Sequence, residues 1–320
     1  MDQYVASRSQ AELADLRTRF QKAPAFPHIA IDNFLSDSFI ESLESQFPSR
    51  NTPDYEKYCV ADDGRIGSDY ANCDPSSFPP AFGEFDALIR SDAFRDLITQ
   101  ITGIDGLEYD ADYFGGGIRE SNGKTQLLPH IDFNYHPKTL HHRRLNILLY
   151  LNRDWRKEWG GNLQIHRNPN EFADGNSLVT SYEPIWNRCL IFETSETSWH
   201  AFDRLCPPPG LSRRALTIYY YTKERPHQEG FRIHNTEYVE LPLDARFRSG
   251  YQLTDADVAE LKEGMVNRDR RIRMLYDIRA EHDSKYAHLW KEYEYYLARS
   301  REFEKKLASL DGNANQSAAE

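Results

Sequence analysis

Hydrophobic and polar positions alternate with three different periods along this chain. In residues 8–22, RSQAELADLRTRFQK, Leu13, Leu16 and Phe20 fall on one helical face behind Ser9 as a cap, and residues 36–47, SDSFIESLESQF, repeat that pattern. FPHIAIDNFL between them reads as a short strand. Phe82 to Thr102 places Phe85, Leu88, Ile89, Phe94, Leu97, Ile98 and Ile101 at intervals of three and four, which predicts one further amphipathic helix. From about 108 to 223 the period falls to two. The runs Tyr109–Tyr113, Leu127–Phe133, Arg144–Leu151, Asn162–Ile165, Leu178–Tyr182, Arg188–Glu193, Trp199–Phe202 and Arg213–Thr222 are separated by Gly, Pro and Asn, the signature of an antiparallel sandwich or barrel of the jelly-roll or cupin class. After Pro226 the strand signals fade, and Thr254–Leu310 contains no Pro. There Leu289, Tyr293, Tyr296, Ser300, Phe303, Leu307 and Leu310 keep a four-three spacing, the seam of a coiled coil or helix hairpin. Packing against the protein's own helices is the plainer reading of that seam, with a homodimer through the C-terminal helices as its rival.

The fold class expected is therefore mainly β with flanking helices, a closed β core plus a C-terminal helical extension. Residues 1–107 form the N-terminal helix and strand buttress, 108–226 the catalytic core, 227–310 the helical extension and 311–320 (DGNANQSAAE) a disordered tail. A balance of 39 Lys+Arg against 50 Asp+Glu, net −11, opposes general attraction to nucleic acid or anionic lipid. The longest strongly apolar stretch, Ile147–Leu151, is far short of a bilayer span, so no membrane association is expected. The polar first twenty residues, without a long apolar run, lack the character of a secretory signal, which makes the cytoplasm the expected location. Cys59, Cys73, Cys189 and Cys206 form no C-x-x-C pair and read as ordinary thiols.

The most informative stretch is LLPHIDFNYHP. His130 and Asp132 lie two apart and project from one face of a strand, where they can share a metal. His200, in the strand-like SWHAF, is the candidate third ligand, ahead of His136, His141, His142 and His166. Two His and one carboxylate leave an octahedral face open, as non-heme Fe(II) oxygenases require. HHRR, 141–144, reads instead as a solvated or substrate-facing basic cluster. In SRRALTIYYYT, Arg213, Ala215 and Thr217 share one face and Arg214 and Leu216 the other; in the preceding long run, Asn146, Leu148 and Tyr150 share a face.

Taken together, HIDFN, RRLNILLYLNRDWRKEWGGNLQI, WHAF and SRRALTIYYYT resemble the prolyl 4-hydroxylase-like branch of the Fe(II)/2-oxoglutarate-dependent dioxygenases over roughly 108–223, and FPHIAIDNFLSDSFIESLESQFP is similar to that branch's lead-in. The resemblance implies a double-stranded β-helix, Fe(II) and 2-oxoglutarate as cofactors, and O2 as cosubstrate. It implies His130, Asp132 and His200 as catalytic iron ligands. Arg213 and Tyr150 would bind the distal carboxylate of 2-oxoglutarate, with Thr217 and Asn146 as further members of that pocket and Arg214 as the alternative to Arg213. The stretch between Tyr113 and His130 is longer than in the closest prolyl hydroxylases. Tyr113, Arg119 and Asn134 are candidate substrate contacts, with Lys124 beside them. The implied activity is hydroxylation of an aliphatic C–H in a small molecule or peptide side chain, with release of succinate and CO2. Asp132 opposes halogenation, in which a small residue replaces the carboxylate; a desaturase or cyclase on the same site, and a catalytically silent cupin-like module, are the alternatives.

Overall fold

A computed structural model describes the chain except residues 2, 51–54, 56, 60–68, 124, 173–175, 226–232, 240–242, 245 and 318–320, and except the side chains of 282 and 307–317. The chain forms two compact units, 1–243 and 244–320. No helix among the described residues is long and apolar enough to cross a membrane.

The first unit is a double-stranded β-helix made of two antiparallel sheets. One sheet has the order β1-β9-β6-β11-β4-β2, with β3 also on β11; the other has the order β12-β5-β10-β7-β8. These strands are β1 (His28–Ile31), β2 (Tyr70–Asn72), β3 (Glu108–Tyr109), β4 (Gly117–Ser121), β5 (Leu127–Ile131), β6 (His142–Tyr150), β7 (Leu163–His166), β8 (Leu178–Tyr182), β9 (Cys189–Glu193), β10 (His200–Phe202), β11 (Arg213–Thr222) and β12 (Glu237–Tyr238). The larger sheet is buried on both faces, so apolar residues occupy both sides of its central strands. On β11, Leu216, Ile218 and Tyr220 join the large core with helices α1 (Gln10–Gln21), α2 (Asp37–Ser45), α3 (Pro80–Arg90) and α4 (Asp92–Thr102). Ala215 points the other way, into a smaller core with Tyr150, Leu163, Ile165, Leu190 and Phe192 that fills the space between the sheets.

The boundaries differ from the sequence pattern in four places. The segment 82–102 is two helices, because Ser91 stops one and caps the next, its Oγ accepting from Phe94 N at 3.2 Å. The run Tyr109–Tyr113 is strand only at its start: Asp110 accepts from the backbone of Asp112 and Phe114, and Tyr113 takes a φ of 47°. The glycine-flanked GIRES segment is a strand, β4. In the second unit, α5 (Asp255–Ser317) is one helix of 63 residues that passes through Gly312 and Asn313, where low helix propensity argues for a disordered tail.

Candidate active site

β5 and β10 are antiparallel neighbours, and their register sets the Cα of His200 opposite that of His130. The two rings lie 4.2 Å apart between centroids. Asp132 follows β5 on the same face, Oδ1 being 3.7 Å from His130 Nε2 and Oδ2 3.5 Å from His200 Nε2. One donor atom from each of the three residues lies within 4.8 Å of the others, and all three residues are buried. The ring orientations are fixed in the same way on both strands. His130 Nδ1 meets Leu128 O at 2.8 Å and His200 Nδ1 meets Ser198 O at 2.8 Å, so each Nδ1–H donates to a carbonyl two residues back. Each Nε2 lone pair is thereby aimed at the shared point, the tautomer a metal requires. Burial lowers the pKa of His130, and burial with the neighbouring His130 pushes His200 down to about 3, so both are neutral ligands at physiological pH. The donor set fits a divalent iron held on one face.

Asp132 is kept ionised by its neighbours. Burial acts to raise its pKa, but Arg143, both imidazoles and Asn146 together hold it well below the usual carboxylate range. Arg143 Nη2 is 3.1 Å from Asp132 Oδ2, and Asn146 Nδ2 donates to the same oxygen at 2.6 Å. Arg143 also donates from Nε to Asn146 Oδ1 at 2.9 Å, and its guanidinium lies 3.5 Å from the Tyr219 ring centroid and 4.3 Å from that of Phe133. Asn146 therefore positions the carboxylate of the candidate metal site. Because Asn146→Leu removes an orienting bond without changing charge, it is expected to raise the Fe(II) requirement roughly 10–100-fold and to leave the 2-oxoglutarate requirement nearly unchanged, as read by separate titrations.

Arg213 begins β11 and is buried on the inter-sheet face. Its Nη2 donates to Tyr150 Oη at 3.1 Å and its Nε to Gly161 O at 2.9 Å; the guanidinium lies over the rings of Tyr150 and Phe202. Phe202 is two residues from His200 on β10, whose ring packs on Phe192, so arginine and metal cluster share one interior. Among the described residues no carboxylate pairs with Arg213. A buried guanidinium without its own counter-ion fits an anion supplied from outside, and its planar fork suits a carboxylate. Gly161 is part of this cradle: at φ +69° a Cβ would stand 2.5 Å from Leu205 Cδ2 and 2.8 Å from Arg213 Cδ. Gly161→Ala is therefore expected to displace Arg213 and raise the 2-oxoglutarate requirement, with Fe(II) binding intact in the same titrations.

Residues 117–221 match the 2OG-Fe(II) oxygenase superfamily. The chain carries a 2OG-Fe(II) oxygenase domain. Fe(II) and 2-oxoglutarate are the cofactors of that superfamily, and the His130–Asp132–His200 donor set fits the metal. The chain is 27% identical over 197 residues to mouse (Mus musculus) prolyl 3-hydroxylase OGFOD1, a match that takes in 61% of this chain and 33% of the relative, so it spans about a third of the curated relative's length. Among solved structures it is similar to a prolyl hydroxylase from Trichoplax adhaerens in complex with a hypoxia inducible factor peptide fragment (TM-score 0.45, 18% identity, 68% of this chain and 94% of that one). It is also similar to HygX from Streptomyces hygroscopicus with nickel and 2-oxoglutarate bound (TM-score 0.40, 13% identity, 72% and 97%).

Within this oxygenase domain the remaining candidates separate. Thr217 lies on the Arg213 face of β11, its Cα opposite Leu148. Arg214 is on the other face, where its Nε donates at 3.0 Å to Glu120, a fully buried carboxylate also bound by Arg50, Tyr55 and Ser212; it is not free to bind 2-oxoglutarate. Tyr113 is not at the site either. The turn after β3 sends it into the helix-covered core, where its Oη donates to Asp86 at 2.9 Å. Asn134 is held as a clamp, donating to Glu196 at 3.0 Å and accepting from His234 N. Arg119 sits on the pocket face of β4 opposite Ala215 and donates to Gly115 O. Lys124 lies outside the described residues. His166 meets Ser177 and Gln164, His136 faces Asp110 and Asp112, and His141 pairs with Glu108, so none of them approaches the metal cluster.

The residue the sequence reading missed is Arg143, grouped there with a solvated basic cluster but only 1% exposed. The pairing of β6 with β11 shifts register between Tyr220 and Tyr221, so that Leu145 faces Tyr220 and Arg143 faces Tyr221. This bulge at Arg144 turns Arg143 to the same side as Asn146, against strict alternation. Arg144 instead pairs with Glu193 at 2.9 Å.

Proposed function

We propose that this chain is a 2-oxoglutarate- and Fe(II)-dependent dioxygenase that hydroxylates an aliphatic C–H of a prolyl side chain. The observation that carries the reading is the pairing of a His130–Asp132–His200 donor set with a buried Arg213 that has no carboxylate of its own among the described residues, inside one barrel. The prolyl substrate is supported by the relative named a prolyl 3-hydroxylase.

The iron, when bound, supplies the redox chemistry that couples O2 and 2-oxoglutarate to succinate, CO2 and the hydroxylated product. The chain's own residues do the rest. His130 and His200 present unprotonated Nε2 atoms, and Asp132, held anionic by Arg143, would supply the third ligand and lower the site's net positive charge. Arg213 and Tyr150 would grip the far carboxylate of 2-oxoglutarate at the depth of the barrel. The apolar walls of Leu190, Phe192 and Ile165 keep water from the interior.

The test uses the full chain with Fe(II), 2-oxoglutarate and proline-containing peptides. Under anaerobic conditions Fe(II) with 2-oxoglutarate should give a weak visible charge-transfer band. In air, peptide should stimulate succinate release with gain of one oxygen atom by mass spectrometry. A band without peptide stimulation would overturn the prolyl assignment; no band at all would overturn the enzyme.

A further inference from the structure

The heptad spacing in the C-terminal helix does not begin at Leu289. Traced backward in the same register it runs through Tyr286, Leu275, Ile272, Met265, Leu261 and Val258, so a three-four alternation holds from 258 to 310. Polar interruptions fall at positions 268, 279, 282 and 300. The mean repeat is 3.5 residues per turn, not the 3.6 of a straight helix, and keeping a seam on one side over that length requires a left-handed supercoil with another helix.

The structure agrees on the scaffold. α5 is unbroken over 63 residues, about 94 Å at 1.5 Å per residue. It starts in a capping box in which Asp257 Oδ2 accepts from Thr254 N at 2.8 Å and Thr254 Oγ1 accepts from Asp257 N at 3.2 Å. A hairpin within the chain is not formed, since one continuous helix carries the whole seam. The seam is bare: Met265, Leu275, Leu289 and Tyr296 are 67, 60, 58 and 66% exposed.

We propose that a second copy of this chain covers that seam, in a parallel, in-register coiled-coil homodimer. The flanking charges select this occupant. Assigning Val258 to position a, the g residue of each heptad meets the e residue of the partner's next one. Two such pairs are opposite in charge (Arg299 with Glu304, Lys306 with Asp311) and none is like-charged, Asp257 being committed to the helix cap. The cations inside the seam carry their own acids at the adjoining e positions. Arg279 pairs with Asp283 at 3.5 Å within the helix, and Asp269 follows Arg268 directly. Such polar layers weaken the pairing but fix its register.

Light scattering on the full chain should give twice the 37.3 kDa chain mass at micromolar concentration. The double variant Leu275→Glu, Leu289→Glu should dissociate roughly a hundredfold more readily, with 2-oxoglutarate turnover per chain unchanged. A wild-type monomer, or a dimer that survives this variant, overturns the proposal. Because the double variant also lowers helicity, Ser300→Cys supplies a separate measure. In the parallel register the two thiols face each other at a seam position, so mild oxidation should yield a covalent dimer that the wild type, with exposed Cys206, does not form. A dimer without that cross-link overturns the register.

Discussion

His200→Ala and Asp132→Ala are each expected to reduce substrate-coupled succinate formation to background, and a chelator applied to the wild type should do the same. With any one of the three donors missing, the remaining two cannot hold an ion while leaving a face open for its other ligands. The two variants part company in stability. His200 Nδ1 bonds to a carbonyl of its own segment, and its loss leaves Asp132 with Arg143 and Asn146 in place. Removing Asp132 instead strands the buried guanidinium of Arg143 between two aromatic rings, a loss of about 3–5 kcal/mol when one partner of a buried pair is deleted. Urea denaturation should therefore place Asp132→Ala well below His200→Ala. Near wild-type turnover in either variant would remove it from the ligand set.

Much of the barrel was legible because strand alternation and turn chemistry agree locally. Leu178–Tyr182 and Arg213–Thr222 have the limits the sequence suggests, and Arg188–Glu193 and Trp199–Phe202 begin one residue late. What escaped depends on tertiary pairing. β4 reads as a glycine-rich loop, yet Gly117 has φ +100° and a Cβ there would lie 2.0 Å from Asn72 O; the glycine is what admits β2 alongside. β12 has only two residues and exists because the chain returns to β5.

The site shows the same division. His130 and Asp132 are two apart on one strand, so their convergence follows from the pleat. That His200 is their neighbour follows from sheet order, which the sequence supports only through the family resemblance. Arg143 could not be reached by alternation, since a bulge is a property of the β6–β11 pair and not of either strand. Asn146 was placed on the correct face, but a face does not specify a partner. Asp132 lies within 2.6 Å of it and accepts from its amide. Asn134 and Tyr113 are polar and near the motif in sequence, which is where substrate contacts are sought. Both pin loops to the scaffold.

Arg213→Ala should raise the KM for 2-oxoglutarate by roughly 10²–10³-fold, since one partner of a buried charged pair is removed. The effect should fall on KM more than on kcat, because Arg213 lies at the Tyr150 end of the pocket and the loss is of cosubstrate binding. Arg213→Lys should recover only part of it. An ammonium keeps the charge but cannot donate to Gly161 O, Tyr150 Oη and a carboxylate in one plane. Arg214→Ala gives the opposite pattern. It leaves the 2-oxoglutarate requirement at the wild-type level while lowering stability, for its loss takes a cation from the fully buried Glu120. The two adjacent arginines face opposite sides of one strand, so a single titration of each variant fixes the register of β11. A KM effect in Arg214→Ala and none in Arg213→Ala would require the strand to be turned over, with Leu216 and Ile218 in the barrel and Ala215 against the helices. The two cores built from those residues leave no room for that exchange.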